Sequence, residues 1–281
     1  MSVLEAPAKV NVSLLVGSAA ADGYHPIESL VQTVELCDSL TVEESDEDSF
    51  VVTGADLDEE DNLVVAALRS VRDRAFVPPV DMRLDKRIPI GAGLGGGSSD
   101  AAAMLLAATG LARQPRSVAE ELAPGLGSDV PLFLIGGSIQ VSGYGELIEA
   151  QRPLEGFAIA IAVPGFELAT ADVYRRWDRM QGPVGKEAPT RSLPGALRDG
   201  MPIRNDLTPA AMDLEPSLGD FLADLSDRWG VPALMTGSGS ACFGLFGDVG
   251  EARDAARAVP AEARLAVGVE LRREGVALLE D

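Results

Sequence analysis

Alternation of apolar and polar residues predicts strands in both halves of the chain. Val80–Asp85 alternates apolar and charged residues with the period of two that is typical of a half-buried strand. Lys9–Val16 and Leu40–Glu44 show a weaker alternation, and Phe157–Val163 is a continuous apolar run typical of a buried strand. Met235–Phe246 has the pattern of strand segments on either side of a glycine turn.

Helical segments are predicted between these strands. Ser98–Leu111 begins with two serines, which are favoured at helix starts, and continues as a run rich in alanine and leucine. Shorter helices are predicted at Val118–Ala123, Ala169–Met180 and Glu251–Val259. Strands and helices do not alternate regularly, so the pattern favours a mixed α/β architecture of two layers, without internal repeats.

The length of 281 residues fits one large or two modest domains, and 46% hydrophobic residues are enough to form a substantial core. The polar stretch Gln151–Pro153 ends in proline and precedes a new apolar strand. We therefore predict two domains, residues 1–153 and 154–281.

Charge and composition exclude several classes of protein. A net charge of −21 argues against a nucleic-acid-binding surface, which requires a basic stripe. One histidine and two cysteines exclude histidine-cluster metal sites, a disulfide framework and a four-thiolate zinc site. Because no 18-residue apolar run or signal-peptide pattern occurs, we expect a cytoplasmic protein without membrane association. We also expect a monomer or weak homodimer. The ten acidic residues within 43–61 are expected to form a solvated loop or edge hairpin.

The segment from Pro89 to Asp100, PIGAGLGGGSSD, is the sharpest local feature. Its glycines allow backbone N–H groups to turn towards a ligand. The helix that follows adds unpaired N–H groups and the positive end of its dipole. The predicted ligand is a phosphate group, and the alternative is a flexible turn with a helix cap.

The well-known phosphate loops do not account for this segment. Gly91, Gly93 and Gly96 fit the spacing G-x-G-x-x-G, but no strand with a ribose-binding acid follows about twenty residues later. The P-loop pattern requires lysine where Gly97 stands, and the protein-kinase signatures H-R-D and D-F-G are absent. No serine has the flanking glycines of a G-x-S-x-G nucleophile elbow. The segment is therefore a phosphate loop of another design.

Three segments, in order, resemble the motifs of the galactokinase, homoserine, mevalonate and phosphomevalonate (GHMP) kinases: Ala6–Asn11, Pro89–Ala102 and Thr236–Phe243. The resemblance implies a two-domain α+β fold. Its N-terminal nucleotide domain would be ribosomal protein S5 domain 2-like, and its C-terminal domain would be ferredoxin-like. The resemblance also implies a small-molecule kinase that uses ATP and Mg2+.

Asp22–His25 and Gly127–Pro131 resemble the members of this family that act on a cytidine diphosphate with a methylerythritol tail. Such a kinase would phosphorylate the 2-hydroxyl of that tail, in non-mevalonate isoprenoid precursor biosynthesis. The alternatives are a kinase of the same family that acts on mevalonate or homoserine, and a non-catalytic nucleotide sensor.

The resemblance assigns the transfer step to Asp129 and Lys9. Asp129 would be the base that takes the proton from the acceptor hydroxyl, although its position alone indicates a helix N-cap. Lys9 would stabilise charge on the travelling phosphoryl group. Asn11 lies two residues further on, on the same face of the strand, so we expect it to contact the substrate tail or brace Asp129.

On the nucleotide side, the resemblance places Lys86 near the adenine and Asn62 near the nucleoside. A solvated charge at a strand end is the alternative for Lys86. Ser99 would supply the magnesium-side hydroxyl, with Ser98 or plain helix capping as alternatives, and magnesium would arrive bound to ATP with most of its waters. The loop residues expected to contact ATP are Pro89, Gly91, Gly93, Leu94, Gly95, Gly96, Gly97, Ser98 and Ser99.

On the acceptor side, Tyr24 and His25 offer an aromatic face and polar groups suited to a cytosine ring. Tyr174 resembles a second aromatic wall, although on its own it would be a core or interface aromatic, and Thr170 would add a polar contact. The resemblance also brings the backbone of the third motif close to the substrate at two positions, Gly237 and Gly239.

Overall fold

Two β-sheets and the helices packed on them form the computed structural model, which describes residues 1–20, 23–55 and 62–279. The strands are β1 Ser2–Val16, β2 Ile27–Glu44, β3 Ser49–Thr53, β4 Val80–Asp85, β5 Ser138–Ser142, β6 Leu147–Ala150, β7 Ala158–Pro164, β8 Leu234–Met235, β9 Cys242–Phe246, β10 Ala263–Val269 and β11 Ala277–Leu279. The helices are α1 Leu63–Arg72, α2 Gly96–Leu111, α3 Ser117–Leu126, α4 Val130–Ile135, α5 Thr170–Arg179, α6 Thr208–Leu214, α7 Ser217–Trp229 and α8 Val249–Arg257.

The first sheet has the strand order β11-β1-β2-β4-β3, and β5 pairs with β2 and with β6. Its long strands β1 and β2 are antiparallel over most of their length, and residues 29–32 of β2 also pair with β5. In β4 the apolar positions are buried and the charged ones are not, which confirms the alternation in the sequence. The strands β3 and β4 are parallel.

Helix α2 packs against β1, α1, α3 and α4. Its residues Ala101–Leu105 are all buried. The alanine-leucine run that predicted the helix therefore serves close packing on several sides at once. The first turn of α2 leaves the glycine loop at one edge of this core.

The second sheet has the order β10-β7-β9-β8 and is antiparallel throughout. Every residue of β7 is buried, which explains its continuous apolar sequence. Its two faces differ, because small side chains point to one side and large ones to the other. Ala158, Ala160 and Ala162 pack in the core of α5–α8, whereas Ile159 and Ile161 belong to the core that contains Val10 and Val12 of β1.

The observed architecture confirms the predicted α+β class. The predicted helices at 98–111, 118–123, 169–180 and 251–259 correspond to α2, α3, α5 and α8, with ends that differ by up to three residues. Within the described part of the chain, no helix combines the length and the apolar character needed to cross a bilayer.

The predicted boundary after Pro153 stays a prediction. Strand β7 begins five residues later at Ala158, but β11 returns to the first sheet and pairs with β1. Of the acidic stretch 43–61, Glu43 and Glu44 end β2, and residues 49–53 form β3. Residues 56–61 of that stretch and Asp22 of the predicted acceptor motif lie outside the described residues.

Candidate active site

Two clefts meet at the glycine loop. The larger cleft has a volume of about 880 Å³ and is lined by residues of β1, α5, the start of α4 and the third motif. The smaller cleft, of about 460 Å³, lies between the loop and the start of α1. Both clefts are lined by Leu63, Gly93, Gly95 and Ser98. The loop therefore separates two spaces that each have room for a small molecule.

Three glycines of the loop adopt backbone conformations that other residues rarely take. The φ angles of Gly91, Gly93 and Gly95 are 66°, 78° and 75°. At Gly93 a side chain is also excluded by contact, because a Cβ atom there would lie 2.9 Å from the carbonyl oxygens of Thr236 and Gly239. The loop and the third motif are therefore in direct backbone contact.

Backbone hydrogen bonds hold the loop between β1 and the third motif. The N–H of Lys9 donates to the carbonyl of Leu94 (2.9 Å), and the N–H of Ala241 donates to the carbonyl of Ala92 (3.0 Å). The lining of the smaller cleft includes the predicted loop residues Pro89, Gly91, Gly93, Leu94, Gly95, Gly96, Gly97 and Ser98.

Lys9 and Asn11 lie side by side in the larger cleft. The Lys9 ammonium donates to Asn11 Oδ1, and Asn11 Nδ2 donates to Ser29 Oγ at 2.8 Å. The Lys9 ammonium also lies 3.9 Å from Asp129 Oδ2. Burial lowers the pKa of Lys9, and the charge of Asp129 opposes that shift. The predicted pair of Lys9 and Asp129 is thus brought together.

Asp129 immediately precedes α4, at the N-cap position. In the part of the chain that the structure describes, its side chain makes no capping hydrogen bond. The carboxylate is 42% exposed and lines the larger cleft. The helix start therefore positions Asp129 without using its oxygens, which remain available to a ligand.

The third motif is a turn held by two residues from elsewhere in the chain. Asn205 Nδ2 donates to the carbonyls of Met235 (2.9 Å) and Gly237 (2.7 Å). Thr236 Oγ1 accepts a hydrogen bond from the N–H of Asn11 at 2.8 Å. We did not predict Asn205, although a polar Arg-Asn-Asp triplet between two buried apolar residues is a usable signal.

Gly237 of this turn lines the larger cleft, and its contact with the substrate stays a prediction. A Cβ atom there would lie 3.3 Å from the Lys9 ammonium and 3.4 Å from Asn11 Oδ1. Gly239 is not in that lining; it approaches Met235 and Leu168 instead. The contact of Gly239 with the substrate stays a prediction.

One part of the larger cleft is aromatic. Tyr24 is 68% exposed and lines the cleft. The His25 ring is buried and stacks on Tyr174 with a centroid distance of 5.5 Å, while Trp177 meets it edge-on at 5.1 Å. Burial and the charge of Asp129 raise the pKa of Tyr174 to about 12, so its hydroxyl stays protonated.

Both ring nitrogens of His25 are engaged within the protein. Nδ1 lies 3.1 Å from the carbonyl oxygen of Gly17, and Nε2 lies 3.2 Å from the carboxylate of Asp178. Asp178, which the sequence did not single out, therefore helps to orient the His25 ring. The ring also lines the larger cleft, and its contact with a cytosine stays a prediction.

Thr170 opens α5 and contacts the third motif. Its Oγ1 lies 2.7 Å from Ser238 Oγ, and both residues line the larger cleft. Arg175 and Tyr144 also line this cleft and were not predicted. Among the described residues that line this cleft, the basic ones are Lys9 and Arg175.

Lys86 is buried behind the loop, so the predicted alternative of a solvated charge is wrong. Its ammonium donates to Asp38 Oδ2 and to Asp100 Oδ2, the latter at 2.6 Å. Burial raises the pKa of Asp100 to about 7, with a further contribution from Asp38, while Lys86 opposes the shift. Lys86 lines the smaller cleft, and its contact with an adenine ring stays a prediction.

Asn62 lines the smaller cleft and caps α1, where its Oδ1 accepts from the N–H of Val64 at 2.9 Å. Of the two serines, Ser98 lines both clefts, whereas Ser99 is fully buried. Within the described residues the Ser99 hydroxyl has no hydrogen-bond partner. Ser99 is in the lining of neither cleft, and its magnesium-side role stays a prediction, with Ser98 as the alternative that lines both.

Comparison with known families gives matches in both halves of the chain. Residues 62–137 match the family described as GHMP kinases N terminal domain, and residues 191–265 match GHMP kinases C terminal. A 4-diphosphocytidyl-2-C-methyl-D-erythritol kinase of Chelativorans sp. (strain BNC1) is 35% identical over 260 residues, which cover 89% of this chain and 88% of the relative. The corresponding kinase of Agrobacterium fabrum is 36% identical over 275 residues and 90% of each chain.

Solved structures agree with these relatives. The crystal structure of a 4-(cytidine 5'-diphospho)-2C-methyl-D-erythritol kinase has a TM-score of 0.78 at 36% identity and covers 95% of this chain and 99% of its own. A homoserine kinase from Cytophaga hutchinsonii has a TM-score of 0.68 at 19% identity, covering 99% and 97% of the two chains. The second match shows a shared fold.

Proposed function

Because the chain belongs to the 4-diphosphocytidyl-2-C-methyl-D-erythritol kinases, a group within the GHMP kinases, we propose that its two clefts hold the two substrates of one phosphoryl transfer. The chain is an ATP-dependent kinase of isoprenoid precursor biosynthesis. In this proposal ATP occupies the smaller cleft and the cytidyl substrate occupies the larger one. The observation that carries it is the Lys9–Asp129 pair, which lines the larger cleft beside the shared loop residues.

Phosphoryl transfer depends mainly on positioning and charge stabilisation. The loop N–H groups and the start of α2 bind the phosphates of ATP. Asp129 accepts the proton of the substrate 2-hydroxyl as the oxygen bonds to the γ-phosphorus and the bond to ADP breaks. Lys9 stabilises the negative charge on the transferring group, and Asn11 fixes the Lys9 ammonium by accepting its hydrogen bond.

The cytidyl end is bound at the aromatic part of the larger cleft. We propose that the cytosine stacks between Tyr24 and Tyr174, and that the His25 ring supports Tyr174 by stacking on it. Thr170 supplies a polar contact at the start of α5, and the backbone of Gly237 contacts the methylerythritol tail beside Lys9.

Magnesium fits this site only as a companion of ATP. The described residues contain no group of three or more histidine, cysteine or acidic side chains that could form a metal cage. The Ser98 hydroxyl, which lines both clefts, would be available to hold such an ion. When bound, magnesium neutralises phosphate charge.

We place the reaction in the cytoplasm, and a monomer or weak homodimer remains our prediction.

The proposal is tested by measuring ADP release with magnesium-ATP and four acceptors: the cytidyl methylerythritol diphosphate, mevalonate, homoserine and galactose. We expect turnover with the cytidyl compound alone. Turnover with another alcohol would keep the kinase fold and reject the cytosine site. ATP binding without turnover on any acceptor would favour a nucleotide sensor.

Replacing Gly93 by alanine is expected to lower kcat/KM for ATP at least about 100-fold, because one misplaced ångström in a catalytic loop has that scale of effect. The new Cβ would lie 2.9 Å from two backbone oxygens, and the φ of 78° disfavours alanine. Steady-state kinetics measure the effect. Gly110→Ala in α2, where a Cβ meets nothing within 4 Å, is the control and should retain activity. Equal activity of the two variants would contradict the close contact between loop and third motif.

Replacing Tyr24 by alanine is expected to raise KM for the cytidyl substrate about 10- to 100-fold, since base–aromatic stacking contributes about 1–3 kcal/mol. KM for ATP should change less than about twofold. Phe76→Ala, at an aromatic residue that is 82% exposed and lies outside both clefts, is the control. An unchanged KM for the cytidyl substrate would remove Tyr24 from the cytosine site.

A further inference from the structure

Three buried charged residues lie against the glycine loop, and two of them, Lys86 and Asp100, also line the smaller cleft. Asp38 of β2 and Asp100 of α2 both accept hydrogen bonds from the ammonium of Lys86. The three side chains are 0%, 3% and 3% exposed, respectively. We call this group the loop cluster. The reaction steps above do not use it, yet burying three charges is costly and needs an explanation.

The loop cluster connects the two ends of the loop. Asp38 Oδ1 accepts from the N–H groups of Arg87 (2.5 Å) and Ile88 (2.8 Å), which come just before Pro89. Asp100 lies in α2, just after the loop. The Lys86 ammonium joins these two carboxylates, so both ends of the loop are attached to one point on the central strand β2.

The cluster also lies against the part of the loop that would hold phosphate. A Cβ atom added to Gly96 would be 3.2 Å from the Lys86 ammonium. Gly96 is the first residue of α2, where free N–H groups are directed at an anion. A shift of the cluster therefore shifts the first N–H groups of the helix relative to the phosphates.

We infer that Asp38, Lys86 and Asp100 are positioning residues that hold the glycine loop in the conformation that binds the phosphates of ATP. The inference rests on the proposed function for the identity of the nucleotide. It differs from an adenine-side contact by Lys86, because it concerns the phosphates and applies to any ligand that carries them.

Replacing Asp100 by asparagine distinguishes the effect of its charge on phosphate binding from the effect of its attachment to the loop. At a pH above the Asp100 pKa of about 7, the variant removes a negative charge near the phosphate site, which by electrostatics alone would strengthen anion binding. Asparagine has nearly the same shape but forms a weaker, uncharged hydrogen bond with Lys86, so the attachment of α2 to β2 is loosened. The inference therefore predicts weaker binding, opposite to the sign expected from charge.

The experiment is isothermal titration of ATP and of inorganic tripolyphosphate into the wild type and Asp100→Asn, with kinetics in parallel. We expect the Kd of both ligands to rise by the same factor, about 10-fold. KM for ATP should rise accordingly, while KM for the cytidyl substrate should change less than twofold. An unchanged or lower Kd for both ligands, or a loss for ATP without a loss for tripolyphosphate, would overturn the inference.

Two further variants control for stability and for net charge. Glu5→Gln removes one carboxylate from Arg272, another buried cation, which is paired with Glu5, Glu35 and Glu274 outside both clefts. This variant should leave phosphate binding unchanged. Lys86→Met combined with Asp100→Asn restores the net charge of the cluster but removes its connections, and should bind tripolyphosphate more weakly than the wild type. Wild-type affinity in that double variant would contradict the inference.

Asp38→Asn is a second single variant, and it keeps an oxygen for the N–H groups of Arg87 and Ile88. Loss of folding in both Asp100→Asn and Asp38→Asn would assign the cluster a purely structural role and reject the inference. The tripolyphosphate measurement does not depend on turnover. A failure of the proposed acceptor would therefore appear in the ADP-release assay alone.

Discussion

Replacing Asp129 by asparagine is expected to lower kcat about 10³-fold, with KM for ATP and for the cytidyl substrate within about threefold of the wild type. General base catalysis typically contributes 10²- to 10⁴-fold, and asparagine keeps the shape of the side chain but cannot accept a proton. The carboxylate makes no capping bond within the described part of the chain, so folding should not depend on it.

Steady-state ADP release and a thermal unfolding curve together test this expectation for Asp129. Asp220→Asn, which changes an aspartate in the first turn of α7, is the matched control and should retain full turnover. A kcat within tenfold of the wild type for Asp129→Asn would show that the substrate hydroxyl loses its proton elsewhere. A large fall in thermal stability would instead show that Asp129 supports the start of α4.

Replacing Lys9 by methionine is expected to lower kcat about 10³-fold as well. One preorganised donor aimed at developing charge contributes about 10²- to 10³-fold to kcat. Lys9 also contacts both Asn11 and Asp129 and so helps to position them. Methionine has a similar length and no charge to desolvate, so the free energy of unfolding should change little.

The Lys9 variant is best measured by single-turnover kinetics, which separate the chemical step from product release. Lys186→Met changes an exposed lysine outside both clefts and serves as the control. A normal single-turnover rate in Lys9→Met would remove Lys9 from the transfer step. Lys9→Met combined with Asp129→Asn should lose less than the product of the two single effects, because the two residues act as a unit.

Sequence patterns were sufficient where a local period or a local chemical need determines the structure. The alternation in β4 and the glycines of the loop are two examples. In both, a short stretch of sequence is enough to predict the burial pattern or the positive φ angles. The amphipathic helix α7 was also readable, since Leu218, Phe221 and Leu225 recur at helical spacing, but we did not predict it.

The contacts of His25 and Lys86 could not be predicted from the local sequence. The partner of the His25 ring lies 153 residues away at Asp178, and Asp38 lies 48 residues before Lys86. A polar residue near a motif is equally compatible with ligand contact and with a distant buried partner. Only the fold reveals such partners, and here it gives both side chains acidic or carbonyl partners while leaving each of them in the lining of a cleft.

Strand β1 makes contacts with both halves of the molecule along its 15 residues. Its start pairs with β11, its middle carries Lys9 beside the glycine loop, and the N–H of Leu14 donates to the carbonyl of Arg204 at 2.8 Å. A one-residue insertion or deletion in β1 would turn every later side chain to the opposite face and break these contacts together. Over evolution, the length of this segment is therefore constrained together with the identity of Lys9 within it.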